Sequence, residues 1–513
     1  MDENKLTFTI NKPITILLTL LIIAVLSSGF YQRDLWFADE PRETAIALRM
    51  YDEVNYVLPK LGNKYFVEKP PLYYWSGIAL IKLSQNRAQV ADIMRFNSVL
   101  WGIGTLLLTY WFALIWSRRS ALPLIQQNSH SVAFLTPVLL ASCNGFLANA
   151  LTIRTDIALA FFVVLSAIGF SEAYVNKKAW GSWLAAIGLA GGFLTKGIIA
   201  IALSGLIWAA LLPIFIKLWQ EKTSAYFFIA NQVVLPAFIF LLPASIWIYC
   251  LLKEGGPSAW DMWFVKNTLK RFTGGGSLGH EETNYFYYIE PFLIYTLPWG
   301  AIWLGMLVSA YKMLISSFHV RVLQLCAIFP LVLLCIATTK RPVYLLPVLP
   351  FFTVAFTFLW CAIENKYLLN KLSRVLAYLF LGCSLGAVML ACLLLPLLHH
   401  EHFVNLSEKI MLMPLWAGAL LIVSLLWYFF YFYKWPILLL SQVLLFTLLV
   451  ANLIVFPALN RDRSRHHLQQ QLSQKSLEQW IKAHNAALTE GLEGYFYVYY
   501  KYIPTTHNAV GNE

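Results

Sequence analysis

Short clusters of carboxylate, basic and aromatic side chains interrupt an otherwise apolar sequence. The first is Asp39-Glu40-Pro41-Arg42, in which a carboxylate can orient a hydroxyl or act as a base and the guanidinium can hold a phosphate. The same residues also fit the start of a helix, with Asp39 as N-cap and Pro41 in the first turn. The residue types therefore predict either a polar-ligand site or a capped helix, and both interpretations stay open.

An acid and a base stand side by side at Glu68-Lys69, directly before two prolines and the aromatic run Tyr73-Tyr74-Trp75. Prolines fix a turn, and Tyr and Trp anchor a helix at the membrane interface. An interface anchor alone explains the aromatic residues but leaves the paired charges unexplained.

Two further charges border apolar runs, at Asp156 in the segment Arg154-Thr155-Asp156 and at Lys196. Ionisable residues next to a membrane segment are candidates for function. Asp156 also fits a helix N-cap, and the two roles are compatible. Lys196 either extends to the interface or meets a lipid phosphate, and we favour the phosphate because other charges converge on the same side.

Two more basic clusters follow. Lys270-Arg271 precedes three glycines, which predict a mobile lid, and then His280-Glu281-Glu282. A histidine beside carboxylates is a candidate for metal binding or proton transfer, although a lone loop histidine is more often an ordinary surface residue.

Lys340-Arg341 lies close to Tyr344 at a helix end. Positive charge on this side of a membrane needs an anion, for which a lipid phosphate is the obvious candidate.

The composition shows what class of protein carries these clusters. Of 513 residues, 59% are hydrophobic and 12% are charged, and the mean hydropathy is +0.63. Ordinary soluble domains are roughly 45–50% apolar and about 25% charged, so this is an integral membrane protein. Basic cytoplasmic loops explain the net charge of +12 without nucleic acid. The seven cysteines form no metal-binding pattern, and no phosphate-binding glycine motif indicates a nucleotide-driven transporter.

The hydrophobic runs predict the topology. A spanning helix needs about 20 apolar residues, and the run at 71–83 is too short, so we expect it to lie in the interface. The run at 13–31 lacks a clear cleavage site and is predicted to be the first, retained helix. Thirteen spans are predicted, near 13–31, 97–117, 131–150, 157–175, 180–195, 197–218, 228–252, 291–312, 321–338, 343–362, 374–397, 411–433 and 435–457.

Loop charge sets the orientation. With the N-terminus in the cytoplasm, every short internal loop is basic, as the positive-inside rule requires, and the C-terminus is external. Two long polar loops, 32–96 and 253–290, then lie outside, together with the helix ends that carry Asp156, Lys196 and Lys340. The tail 458–513 is also external and is predicted to form a small α/β subdomain. Charges from separate segments thus meet at headgroup depth on one face, an arrangement that suits a lipid-linked phosphate.

These motifs resemble a known family. The segments DEPR, EKPPLYYW, RTD, TKG, RF…H…YY and KRPVYLLP are similar in type and order to those of polytopic GT-C glycosyltransferases, above all the ArnT-like aminoarabinose transferases that modify lipid A. Protein O-mannosyltransferases are related to that group. The resemblance covers nearly the whole chain. It implies an all-α GT-C fold, with residues 1–457 as the catalytic transmembrane domain and interfacial helices in the first external loop.

The resemblance also implies a reaction and its residues. A sugar would move with inversion from a polyprenyl-phosphate donor, at the outer face of the cytoplasmic (inner) membrane, and no nucleotide or certain cofactor is required. Asp39 would be the essential acid, with Asp156 as second acid and Glu40 beside them. Glu68 and His280 match positions that would share a divalent cation. The residues expected to hold the donor phosphate are Arg42, Lys69, Lys196, Arg271, Lys340 and Tyr344.

The acceptor stays open. It is lipid A or another envelope glycolipid in one hypothesis, and protein Ser/Thr in an O-mannosyltransferase-type alternative. A lipid or sugar flippase is the third hypothesis, but the helix interiors are almost free of charge, which favours an enzyme at the surface. In all cases membrane lipids are partners and nucleic acid is not. The chain departs from the family at Arg341, where a small residue is more common.

Overall fold

The structure is a computed structural model that describes residues 10–30, 33, 35–36, 39–61, 64–85, 89–220, 233–274, 282–363, 369–380, 382, 436–450 and 452. Most of these residues are helical, and a single two-stranded antiparallel hairpin, Lys60–Leu61 with Lys64–Tyr65, is seen among them. The helices are Lys12–Ser28, Asp39–Asp52, Leu72–Ser84, Val90–Arg118, Pro123–Gln127, Ser129–Ser142, Asn144–Ala150, Thr155–Tyr174, Trp180–Lys196, Ile198–Gln220, Leu235–Trp260, π-helical Asp261–Leu269, Lys270–Thr273, Ile289–Thr296, Trp299–Ser309, Tyr311–Ser316, Phe318–Ile336, 3₁₀-helical Pro342–Leu345, Leu349–Ala362 and Pro436–Val450.

The chain is a multi-pass membrane protein. In the described part, five helices are long and apolar enough to cross a membrane, and the number rises to seven if each of two bent helix pairs counts as one span. Apolar helices at the predicted spans 13–31, 343–362 and 435–457 are shorter, at 10–17 residues. The predicted spans 374–397 and 411–433 lie largely or wholly outside the described residues, as does the predicted tail subdomain.

Two predicted spans are broken helices. The span 131–150 bends by 72° between Ser129–Ser142 and Asn144–Ala150, and the span 291–312 bends by 110° between its two helices. The first break lies at Cys143, whose backbone is extended. The second break ends at Pro298, which cannot donate a helical hydrogen bond. Periodicity alone does not reveal such bends, because both halves remain apolar.

The long polar segment 32–96 contains packed helices, and the helix predicted at 71–83 is among them. Helix Leu72–Ser84 buries Tyr73, Tyr74 and Ile78 in a cluster with Ile46 and Met94. This packing covers one side of helix Asp39–Asp52 and therefore fixes the direction in which its charged first turn points. Lys69 and Glu68, just before the aromatic helix, are held in a turn by the same packing.

The described part of the long polar segment 253–290 is more helical than the sequence indicates. The helix that begins at Leu235 kinks at Gly256, where φ is 61°, and then continues as helix to Thr273. We expected residues 253–273 to belong to a long loop. Aromatic burial explains the difference, since Trp263 packs edge-on against Trp247 and Phe193 with ring centroids 4.9 and 5.9 Å apart.

A tightly packed helix hairpin brings two charged ends together. Helices Thr155–Tyr174 and Trp180–Lys196 run antiparallel and approach so closely that a Cβ on Gly169 would lie 2.2 Å from the backbone nitrogen of Ala185. Small residues allow such contacts between membrane helices. Because the connection is short, the first turn of one helix and the last turn of the other end on the same side.

The chain divides into two compact units, of which residues 35–362 form the first within the described part. In the second unit, helix Lys12–Ser28 packs with Pro436–Val450. Asn452 donates from its amide nitrogen to the Val25 carbonyl at 3.2 Å and to the Ser28 hydroxyl at 3.0 Å. All the site residues described below belong to the first unit.

Candidate active site

Asp39 lies in the wall of a cavity of about 460 Å³, which we call the main cavity. Its Oδ1 accepts from Arg42 at 2.8 Å, and its Oδ2 lies 3.0 Å from an Arg154 guanidinium nitrogen. Burial would raise the pKa of the Asp39 carboxyl, but the charges of Arg154 and Arg42 outweigh burial and hold the pKa below its usual range. Asp39 is therefore an anion clamped between two arginines.

Glu43 lies one helical turn after Asp39 and joins three elements. It accepts from Lys69 at 2.6 Å, from the Tyr74 hydroxyl at 2.6 Å and from Arg42 at 3.1 Å. Its side chain is only 1% exposed. Burial and the adjacent Glu43 charge raise the pKa of the Tyr74 hydroxyl well above its ordinary value. This network fixes Lys69 and Arg42 at the rim of the cavity.

Glu68 pairs with Arg271 from the second loop, with an oxygen–nitrogen distance of 2.9 Å. Burial would raise the pKa of Glu68, but the positive charges of Lys69, Arg271 and Arg42 hold it well below its usual range. The carboxylate that the resemblance assigns to a metal thus neutralises arginine. His280, its expected partner, lies outside the described residues. Within the described part, no group of three or more His, Cys, Asp and Glu side chains is placed to hold a metal ion.

Asp156 and Lys196 meet at the end of the helix hairpin. The Lys196 ammonium donates to Asp156 and also lies 4.5 Å from the centre of the Tyr344 ring. Both side chains are largely buried, with 13% and 9% exposure for Lys196 and Asp156. Three segments far apart in the sequence therefore converge on one corner of the main cavity.

The lining of the main cavity combines charged and apolar residues. It contains six cationic and four carboxylate side chains, an excess of two positive charges. Two transmembrane helices contribute aliphatic residues to the same lining. These aliphatic residues are Ile198, Ile199, Ala202, Leu203, Leu333 and Leu334.

Several polar atoms of this wall are buried without a hydrogen-bond partner in the described structure. They include Arg154 Nε, Arg271 Nε and the Thr155 hydroxyl. Buried donors are normally satisfied, so a cluster of unsatisfied ones in a cavity wall indicates a site for an acceptor group.

Glu40 and Lys340 do not line the main cavity. Glu40 is 1% exposed, pairs with the buried Arg95 at 3.2 Å and accepts the Ile153 amide at 3.1 Å. Lys340 is 3% exposed and donates to the Glu282 carbonyl at 2.5 Å. Arg341 lines the cavity instead, and its guanidinium makes no ion pair with a residue in the described part of the chain.

Comparison with known proteins gives a consistent picture. The family model described as dolichyl-phosphate-mannose-protein mannosyltransferase matches residues 55–252, which is less than half of the chain. Undecaprenyl phosphate-alpha-4-amino-4-deoxy-L-arabinose arabinosyl transferase 2 of Proteus mirabilis is 26% identical over 340 residues, 65% of this chain and 56% of that protein. The corresponding Serratia proteamaculans transferase is 27% identical over 375 residues, 72% of this chain and 63% of that protein.

The chain thus spans a little over half the length of these relatives. A crystal structure of ArnT from Cupriavidus metallidurans bound to undecaprenyl phosphate superposes with a TM-score of 0.63 at 17% identity, over 87% of this chain and 77% of that one. The fold is ArnT-like. The mostly helical, multi-pass architecture that the sequence predicts is therefore confirmed, whereas the count of thirteen spans and the tail subdomain stay predictions.

The ArnT-like fold brings together most of the predicted site residues. Asp39, Asp156 and Glu68 line the main cavity, as do five of the residues expected to hold phosphate: Arg42, Lys69, Lys196, Arg271 and Tyr344.

The sequence-based site omitted Glu43, Arg154 and Arg341. Glu43 follows Asp39 by four residues, and helical spacing places both on one face. The spacing alone could therefore have predicted that Glu43 lies beside Asp39. Arg154 and Arg341 are different. Each belongs to a cluster noted in the sequence, but only tertiary structure shows which cation of each cluster faces the cavity.

Proposed function

We propose that this chain is an integral membrane glycosyltransferase that uses a polyprenyl-phosphate-linked sugar as donor. The acceptor is lipid A or another envelope glycolipid, and the transfer inverts the anomeric centre. The observation that carries the proposal is the lining of the main cavity, which combines six cationic side chains with aliphatic residues of two transmembrane helices. A lipid phosphate has a charged group that suits the cations and an apolar chain that suits the aliphatic residues. The similarity to transferases named for undecaprenyl-phosphate donors supports the same proposal.

The cations assist departure of the lipid phosphate. When the bond between the anomeric carbon and the phosphate oxygen breaks, the leaving phosphate gains a negative charge. Preorganised positive groups stabilise that developing charge more than they stabilise the bound donor. Lys69, Arg271 and Arg341 are the wall cations that we assign to this role, with Arg42, Lys196 and Tyr344 around them.

Asp39 acts on the acceptor. A carboxylate held between Arg42 and Arg154 is fixed in position and remains ionised, so it can orient the attacking oxygen and receive its proton as the new bond forms. The Asp156–Lys196 pair holds Tyr344 and the adjacent phosphate-binding cations in place. We assign Glu40 to support of Asp39 through Arg95, and Glu68 to positioning of Arg271.

The membrane arrangement is part of the proposal. We place the active site at the external face of the inner membrane, with thirteen spans, a cytoplasmic N-terminus and an external C-terminus. Basic short loops on the opposite side support this orientation. Residues 1–457 would form the catalytic domain and 458–513 a small external subdomain.

Transfer to protein Ser/Thr is the second candidate. The match of residues 55–252 to the mannosyltransferase family model favours it. A protein acceptor needs the same donor chemistry, so the two candidates differ only in what reaches Asp39.

Mass spectrometry of envelope lipids and surface glycoproteins tests the proposal. Cells that lack the chain are compared with cells that carry wild type or Asp39→Ala. We expect a sugar-sized mass increment on a lipid with wild type only. An increment on protein would select the second candidate. Identical products from wild type and Asp39→Ala would overturn the site, and unchanged products with lipid-linked sugar accumulating on one leaflet would indicate a flippase.

A further inference from the structure

A second, smaller cavity of about 250 Å³ adjoins Asp39. We call it the amide pocket, because Asn144 and Asn149 of the short helix Asn144–Ala150 form part of its wall. Tyr295 from the second bent helix pair also lines it. The pocket therefore exists because both predicted spans are broken, and its residues come from the segments next to the two breaks.

Asp39 and Arg154 line both cavities. The ion pair between them, 3.0 Å long, is thus a shared boundary with the lipid-phosphate cations on one side and the amide pocket on the other. In an inverting transfer the acceptor and the leaving phosphate lie on opposite sides of the anomeric carbon. A pocket that reaches the same carboxylate from the other side has the position that an acceptor requires.

The wall chemistry of the amide pocket differs from that of the main cavity. Two side-chain amides, the Tyr295 phenol and the Thr152 hydroxyl supply neutral donors and acceptors, and the carboxylates of Asp39 and Glu40 also line the pocket. Arg154 is its one cation in the described part of the chain, and that guanidinium already pairs with Asp39. A phosphate would lack the cluster of cations that it meets in the main cavity. The pocket suits an uncharged, hydroxyl-rich group such as a sugar ring.

The size and access of the pocket fit one ring that enters from outside. Pockets for drug-sized ligands run from about 300 to 1,000 Å³, so 250 Å³ suits a single ring. Tyr295 also lines a third cavity, of about 620 Å³, whose wall includes Phe286 and Tyr287. Tyr295 is thus the residue that the linings of the two cavities share.

The Tyr295 position depends on a glycine. A Cβ on Gly145 would lie 2.2 Å from Tyr295 Cγ, so the ring rests directly on the backbone of the short helix. The Asn149 amide nitrogen donates to the Gly145 carbonyl at 2.6 Å. The pocket is thus built by contacts between the two broken spans.

We propose that the amide pocket is the acceptor subsite and that it takes the uncharged sugar headgroup of a glycolipid, whose hydroxyl is the nucleophile. The hydroxyl oxygen bonds to the anomeric carbon, and its proton passes to the Asp39 carboxylate. The bond from that carbon to the phosphate oxygen breaks, and its electron pair leaves with the lipid phosphate. The inference rests on the proposed function and narrows its acceptor from any envelope glycolipid to one that presents a sugar hydroxyl.

Binding of small probes to the full chain in nanodiscs tests the proposal. Saturation-transfer NMR would use a panel of methyl pyranosides (gluco, galacto and N-acetylglucosamine) and, as the charged counterpart, glucose 1-phosphate. The variants are Asn149→Leu and Tyr295→Phe, with Asn176→Leu and Tyr249→Phe as matched controls outside the pocket. Undecaprenyl phosphate binding, measured on every protein, shows that the main cavity is intact.

We expect at least one methyl pyranoside to bind wild type and both controls, and to bind Asn149→Leu about tenfold more weakly, with a smaller loss in Tyr295→Phe. The signal should persist when the donor undecaprenyl-phosphate-linked 4-amino-4-deoxy-arabinose is saturating. Displacement by that donor would mean that the donor sugar fills the pocket. Absence of pyranoside binding, equal binding to Asn149→Leu, or a loss confined to glucose 1-phosphate would each overturn the proposal.

The two proposals fail in different ways. If undecaprenyl phosphate does not bind wild type, the proposed donor chemistry is wrong, whereas the pyranoside result still reports on the amide pocket. If undecaprenyl phosphate binds equally to wild type and Asn149→Leu while pyranosides do not discriminate between them, the donor proposal stands and the acceptor subsite does not.

Discussion

The main cavity and the amide pocket meet at the same carboxylate but are built from different chemistry. One combines six cations with an aliphatic wall, whereas the other offers neutral amides and a phenol. A charged lipid phosphate is stabilised by the first environment, and a neutral hydroxyl group by the second. The difference indicates how one site can hold two substrates in a fixed order around Asp39.

Removing the shared carboxylate tests both regions at once. Asp39→Asn keeps the shape of the side chain but cannot accept a proton, and we expect transfer to fall by about 10²–10⁴-fold. Undecaprenyl phosphate should still bind, because all six cations of the main cavity remain. The measurement is product formation by the reconstituted chain, with binding as the control. Transfer within threefold of wild type would exclude Asp39 as the acceptor base.

Glu40 tests whether the second acid of the first cluster is structural. Breaking a buried ion pair costs about 3–5 kcal/mol, and Glu40 pairs with Arg95 at 1% exposure on both sides. We expect Glu40→Gln to lower the thermal unfolding temperature markedly, while the folded fraction retains most of its transfer rate. Unchanged stability together with lost transfer would instead support the catalytic role that the sequence predicted.

Substitutions of the neighbours Lys340 and Arg341 test which of the two binds the phosphate and which stabilises the fold. Hydrogen bonds to charged groups contribute about 1.5–3 kcal/mol, so Arg341→Leu should weaken undecaprenyl phosphate binding by about tenfold or more. Arg341→Lys should restore part of the affinity. Lys340→Met should reduce stability more than affinity, because that ammonium donates to the Glu282 carbonyl. The reverse order of affinities would return the phosphate role to Lys340.

Substitution of Glu68 is expected to have the smallest effect, which is on the stability of the protein at acidic pH. Its folded pKa lies well below the unfolded value of 4.5, so its contribution to stability is complete above that value and is lost progressively as the pH falls from there towards the folded pKa. The unfolding temperature of Glu68→Gln should therefore lie below that of wild type at neutral pH, and the difference should shrink on acidification. A difference that does not change with pH would show that the Arg271 pair does not stabilise the fold.

Sequence reasoning identified the lining of the main cavity better than that of the amide pocket, for a physical reason. Charged residues such as Lys69 and Lys196 are costly beside a membrane, so each one is visible in a hydrophobic sequence. Asn144, Asn149 and Tyr295 are neutral and common in membrane helices. Nothing in their spacing distinguishes a pocket from ordinary packing, because the bends that bring them together are not visible in the hydropathy.

The sequence by itself determined the membrane class, the location of the spans that the structure describes, the resemblance to GT-C glycosyltransferases and the charged cluster that contains Asp39. These follow from hydrophobicity and charge, which are properties of single residues and local runs. Tertiary structure decided which neighbour in each charged pair lines the main cavity: Asp39 rather than Glu40, and Arg341 rather than Lys340. That choice depends on helix rotation and on partners such as Arg95, which lies 55 residues from Glu40, and a local pattern does not contain it.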